Sequence, residues 1–92
     1  MALSFLSMID ALERGDVSAR AFSSAVEHEW NFGDERATLS VKERAAVQRL
    51  FDVVVYYSEF REERERIPIY RNEEDVLMAA RACRQILLSG TG

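Results

Sequence analysis

Only one proline, Pro68, and two glycines, Gly15 and Gly33, interrupt the chain before the terminal Ser89-Gly90-Thr91-Gly92. An all-β sandwich or barrel needs a turn signal every ~8 to 12 residues, and three breakers cannot supply them. Helices are the expected alternative. Of the 92 residues, 48% are apolar and 30% charged, the composition of one globular domain rather than of a disordered tail. The expected fold is all-α. It is a single domain over residues 1–92, a compact antiparallel four-helix bundle with helices over 3–14, 18–33, 41–65 and 73–88.

The apolar spacing places those helices. Phe5, Ile9 and Leu12 stand at i, i+4, i+7 with Leu6 beside them, and Gly15 stops the run. Ser18 is positioned to cap a second helix whose inner stripe is Phe22, Ala25, Val26 and Trp30. Residues 33–39 lack an apolar period and read as a loop. Ser40-Val41-Lys42-Glu43 then has the pattern of a capping box, in which serine and glutamate each satisfy an orphan amide. Behind it, Ala46, Val47, Leu50, Phe51, Val54 and Tyr57 form one broad face. Val53-Val54-Val55-Tyr56-Tyr57 also favours a strand, but a lone five-residue strand would have no partner, so the helix is expected to run on to Glu65. Pro68 marks the break. Asn72 caps a last helix that opens with Glu73-Glu74-Asp75, where the helix dipole favours carboxylates. Its stripe is Val76, Ala79, Ala80, Cys83, Ile86 and Leu87, and Gly90 closes it.

Side chains able to carry chemistry are few. Cys83 and His28 are the only cysteine and histidine, too few for the three or four ligands of a zinc site and with no second cysteine for an internal disulfide. His28 falls on the side of its helix away from Phe22 and Val26, and Cys83 on an apolar stripe, where a thiol is a small core residue. No glutamate is followed three residues on by a histidine, which excludes the di-iron bundle motif. There is no glycine-rich phosphate cradle. No catalytic residue, metal or other cofactor is expected, and the chain reads as a non-enzyme. The first residues lack a basic segment leading into an apolar core, and no stretch of ~18 apolar residues occurs, so the expectation is a protein of a reducing cytoplasm that is neither exported nor membrane-spanning.

Charge gives the more informative pattern. Twelve basic against sixteen acidic residues leave a net charge of −4, which disfavours nucleic acid and anionic membranes as partners and admits a basic protein. In Glu59-Phe60-Arg61-Glu62-Glu63-Arg64-Glu65-Arg66, Arg61 with Glu65 and Glu62 with Arg66 stand at i, i+4, a self-pairing worth ~0.3 to 0.5 kcal/mol each. Glu73, Glu74 and Asp75 have no such basic neighbour downstream. Capping explains their position and leaves a negative knob that could dock a basic partner.

Phe5-Leu6-x-x-Ile9, the Gly15-Asp16-Val17-Ser18 turn, Ala21-Phe22-Ser23 leading to Trp30, Leu50-Phe51, Tyr56-Tyr57, and Tyr70 ahead of Asn72-Glu73-Glu74 together resemble the small immunity proteins of the colicin D type. The resemblance covers most of the chain. It implies a helical bundle that neutralises a cognate tRNA-cleaving toxin by covering its active site with carboxylates, a role also filled by immunity proteins of contact-dependent growth inhibition systems. On that basis the toxin-binding residues are Glu59, Glu62, Glu63, Tyr70, Glu73, Glu74 and Asp75. The family places inhibitory acids after the Leu-Phe pair, at positions where this chain has Val55 and Phe60, with Glu59 and Glu62 as the nearest carboxylates. The alternative is a helical oligomerisation or adaptor module that binds a partner helix through the exposed part of Val53 to Tyr57.

Overall fold

The computed structural model describes residues 2–89, in the order α1 (Leu3–Glu13), α2 (Ala19–Phe32), a 3-10 turn (Glu35–Thr38), α3 (Val41–Val54), α4 (Arg61–Arg66) and α5 (Glu73–Ser89). No strand forms among the described residues. The all-helical expectation holds, with five helices in place of four. The anticipated stop at Gly90 lies outside the described residues.

Local signals close α1 and open α2, α3 and α5 where the sequence placed them. At the end of α1 the Gly15 N–H donates to the Leu12 carbonyl at 3.1 Å and the Asp16 N–H to the Ala11 carbonyl at 2.9 Å. This paired closure needs a left-handed residue, and Gly15 supplies it at φ +79°. Ser18 Oγ accepts from the Ala21 N–H at 3.1 Å. The Ser40 capping box is complete, with Ser40 Oγ accepting from the Glu43 N–H at 3.1 Å and Glu43 Oε1 from the Ser40 N–H at 2.9 Å. Asn72 and Asp75 form an equivalent pair, at 2.9 and 3.0 Å, at the start of α5. The expected loop over 33–39 contains the 3-10 turn, and it serves α1: both Glu35 carboxylate oxygens accept from the Ser4 N–H at 3.0 Å. Gly33 is needed for space, because a Cβ there would meet the Glu29 carboxylate and, at 2.7 Å, the Glu29 carbonyl oxygen.

The core is assembled from the predicted stripes. Phe5 and Ile9 of α1, Phe22, Val26 and Trp30 of α2, Ala46, Val47, Leu50 and Val54 of α3, and Val76, Ala80, Cys83 and Leu87 of α5 form one cluster, with Leu6, Leu12, Phe51, Ala79 and Ile86 packed against it. The α3 and α5 pairing is the most extensive, and α1 and α2 pack on each other and on α5. Trp30 is only 7% exposed; its ring lies 5.7 Å from that of Phe51, and the Arg36 guanidinium sits 5.3 Å from its centre.

One boundary is corrected. The helix expected over 41–65 ends at Val54, and residues 55–60 turn before α4 begins. At the break the Tyr56 and Tyr57 N–H groups donate to the Val53 and Val54 carbonyls at 3.1 and 3.2 Å, tightening the last turn. The chain then pairs with a segment downstream of Pro68. The Arg71 N–H donates to the Tyr56 carbonyl at 2.7 Å and the Ser58 N–H to the Arg71 carbonyl at 3.0 Å, an isolated parallel bridge between Tyr57 and Arg71. The valine run is a poor helix former because each branched side chain loses rotamer freedom. Arg71 supplies the partner whose absence had argued against extended structure.

Trp30→Ala should lower stability by ~3 to 5 kcal/mol, the cost of a large-to-small change in a packed core. His28 is exposed, with its ring 5.3 Å from that of Phe32, so His28→Ala should change stability by less than ~0.5 kcal/mol. Urea midpoints of the two variants check both values.

Candidate binding surface

The bridge brings two acidic segments together. The rise of the Tyr57 hydroxyl above its ordinary pKa comes first from burial, then from the negative charges of Glu59 and Glu73, opposed by Arg64 and Arg20. Glu59 belongs to the turn after α3 and Glu73 opens α5, so carboxylates 14 positions apart in sequence act on one phenol. A cavity of about 170 Å³ beside it is lined by Arg20, Tyr57, Ser58, Glu59, Phe60 and Glu63.

The seven residues named from the resemblance divide into two groups. Two of the carboxylates have structural tasks and a third carries an ion pair. Glu63 Oε1 accepts from Ser58 Oγ at 2.6 Å, Asp75 completes the cap with Asn72, and Glu59 lies 3.6 Å from the Arg20 guanidinium. Among the same stretch, Glu65 takes up Arg61 at 3.0 Å. Glu62, Glu73 and Glu74 are exposed and make no hydrogen bond or ion pair among the described residues. The expected Glu62–Arg66 pair is therefore not formed. Tyr70 is half-buried and closes the proline turn, its N–H donating to the Ile67 carbonyl at 3.0 Å.

Sequence reasoning named the exposed part of Val53 to Tyr57 and missed the rest of the apolar surface. Val55, Tyr56, Phe60, Ile67 and Ile69 are all exposed, Phe60 and Ile69 to 58% and 51%. Reading 41–65 as one helix hid the turn that presents Phe60. The extended backbone required before Pro68, seen at Ile67 with φ −126° and ψ 92°, was the signal that Ile67 and Ile69 would not continue a helical stripe. α4 buries none of its own residues, so both its charges and the flanking apolar groups face solvent.

The two residue types that catalysis would recruit are placed otherwise. His28 lies exposed on α2, whereas Cys83 is buried on α5 and its thiol is pushed up to about 11 by that burial. No group of three or more histidine, cysteine or acidic residues among the described ones is arranged to hold a metal ion. No helix among them is long and apolar enough to cross a membrane. Comparison with family models, curated proteins and solved structures gives no match for this chain.

Cys83 generates a pH prediction. Its folded value lies above the ordinary 9.0, so the folded state holds the proton more tightly. The resulting stability is full below pH 9 and is lost as pH rises towards about 11. Tyr57 shifts in the same direction and adds to the loss above pH 10. Denaturation midpoints should fall across this alkaline window, with a shallower fall in Cys83→Ala and in Tyr57→Phe.

Proposed function

We propose that the chain is an immunity protein of the colicin D type: a non-catalytic inhibitor, built on an antiparallel helical bundle, that binds a cognate nuclease toxin in the cytoplasm of the producing cell. The toxin class implied is a tRNase. The observation that carries this reading is the Tyr57–Arg71 bridge, which brings the acidic segments after α3 and at the start of α5 together, with Glu62, Glu73 and Glu74 exposed and uncompensated. Between Val55 and Asp75, seven carboxylates face four arginines, so this stretch holds −3 of the net charge of −4. Such a surface complements the basic groups with which a nuclease holds phosphates and is repelled by nucleic acid itself. The size is adequate. The accessible surface is 5980 Å², and a standard interface takes ~800 Å² of one partner.

A second reading is favoured by the exposed Val55, Tyr56, Phe60, Ile67 and Ile69: an adaptor that binds a partner through apolar contact alone. Charge separates the two. A steered acid-to-base encounter should associate at ~10⁸ M⁻¹s⁻¹ at low salt and slow markedly as salt rises, whereas apolar docking should show little salt dependence.

The test uses the gene beside this one, because an immunity gene accompanies its toxin. Coexpression of the chain should protect cells from the neighbouring gene's nuclease, and stopped-flow mixing with its inactivated domain should show the salt dependence. Glu73→Lys with Glu74→Lys should cost ~0.3 to 1 kcal/mol of stability per site at a helix N-terminus. Binding should weaken well beyond this stability loss, chiefly through slower association, because exposed rim carboxylates steer the encounter. Asp34→Lys, outside the 55–75 stretch, should leave affinity unchanged within the error of the titration. Full protection by the double reversal, with unchanged binding, would discard the acidic-surface mechanism.

A further inference from the structure

Ser58 is buried although it lies in the turn between two helices, and four hydrogen bonds converge on it. Its Oγ accepts from the Phe60 N–H at 3.2 Å and donates to Glu63 Oε1 at 2.6 Å. Its carbonyl accepts from Arg64 Nη1 at 2.7 Å, and its N–H donates to the Arg71 carbonyl at 3.0 Å. The residue held by this knot is Phe60, which ends up with 58% of its surface in water. A large aromatic turned to solvent on a held backbone contributes little to the fold. It does lower the ordering cost of binding, because the backbone that presents the ring is already set.

We infer that Phe60 is the anchor of the docking surface, and that its partner is a basic protein surface with an apolar recess beside its cationic groups. This inference rests on the acidic docking proposed above and adds to it the residue that holds the complex together. Aromatic side chains near the middle of an interface dominate its energetics, and a polar rim that excludes water surrounds them. The rim consists of Glu59 and Glu62, which flank Phe60 in sequence, and Glu73, two residues past the Arg71 that bridges to Tyr57. Charge complementarity fixes the kind of partner, since the 55–75 stretch carries most of the net negative charge. Rim charges and anchor act on different rate constants. Long-range attraction sets the rate of encounter, while the inserted ring sets the lifetime of the complex.

The probe is the inactivated nuclease domain encoded beside the chain, measured by stopped-flow association and by dissociation against unlabelled competitor. Phe60→Ala should dissociate at least ~30-fold faster, the effect of removing a hot-spot side chain, with an association rate and salt dependence like those of the unmodified chain. Phe60→Leu should recover part of the lifetime, and Phe32→Ala, at another exposed aromatic, should change neither rate. Glu73→Lys with Glu74→Lys should instead slow association. Thermal melting should show Phe60→Ala as stable as the parent, because the ring is largely in solvent. In the free protein, the Ser58 and Phe60 amides should exchange with solvent more slowly than unstructured peptide. An unchanged dissociation rate in Phe60→Ala, beside weakened binding by the charge reversal, overturns the anchor and leaves the acidic docking standing. Unprotected amides at Ser58 and Phe60 overturn the preset turn on which the anchor depends. A neighbouring nuclease domain that does not bind the unmodified chain removes both proposals.

Discussion

The short backbone pairing of Tyr56 and Ser58 with Arg71 joins the end of α3 to the start of α5, and the arrangement of the surface follows from it. α3 and α5 form the most extensive helix contact in the protein. Their connection is 18 residues long, yet the pairing fixes it within a few residues of Val54, the last of α3. Asn72 follows Arg71 directly and caps α5, so the position of the bridge also sets where α5 starts. The same contact sets Glu73 near Tyr57. A flexible connection of this length would have left the two acidic segments without a fixed relation. Two backbone hydrogen bonds therefore do for the surface what the apolar stripes do for the core.

What was legible in the sequence was local. Gly15, Ser18, the Ser40 and Glu43 box, and Asn72 each act on backbone groups within a few residues, so their consequences can be read without knowing the fold. The inner stripes were legible for the same reason, since one helical period decides them. The end of α3 was not. Val53-Val54-Val55 weakens a helix wherever it occurs, but whether the helix stops depends on another partner for the freed backbone groups. That partner, Arg71, comes after α4 and a proline turn. The other long-range contacts were equally hidden: Glu35 at the Ser4 amide, and Arg84 with Glu13 at 2.9 Å and Asp10 at 3.5 Å. Each joins residues that no local pattern connects.

The acidic surface was half legible. The sequence gives the number of carboxylates and their sign, and it marks the first turn of α5 as a place where they are favourable. It does not rank them. Glu63 and Glu62 are adjacent in the chain, but one is tied to Ser58 and the other stands free. That distinction depends on Ser58 being buried beside α4, which only the break after Val54 brings about. Glu62 and Arg66 have the spacing of a helical ion pair, but a pair of this kind in water contributes little and does not hold two long side chains together. Spacing makes such a pair possible, and the surroundings decide whether it forms.

α4 shows why the surface and the bundle are mechanically separable. Six residues are far below the length at which an isolated helix is stable in water, and α4 buries no residue of its own. The Arg61–Glu65 pair, exposed on both sides, contributes at most a few tenths of a kcal/mol. The remaining anchorage is the set of bonds from Glu63, Arg64 and Phe60 to Ser58. Alternating charge also limits the self-repulsion of the helix, because its three arginines equal its three glutamates in number, although of these glutamates only Glu65 is ion-paired among the described residues. A surface held in this way can change its side chains without disturbing the apolar cluster, since none of its free carboxylates and none of its exposed apolar groups belongs to that cluster. Changes that alter partner choice would therefore fall on Phe60, Glu62, Glu73 and Glu74, and changes that alter stability on Trp30, Leu50 and Val76. Ser58 and Tyr57 join the two regions, Ser58 buried and bonded to Phe60, Glu63 and Arg64, and Tyr57 packed against the cluster while lining the cavity beside Glu59.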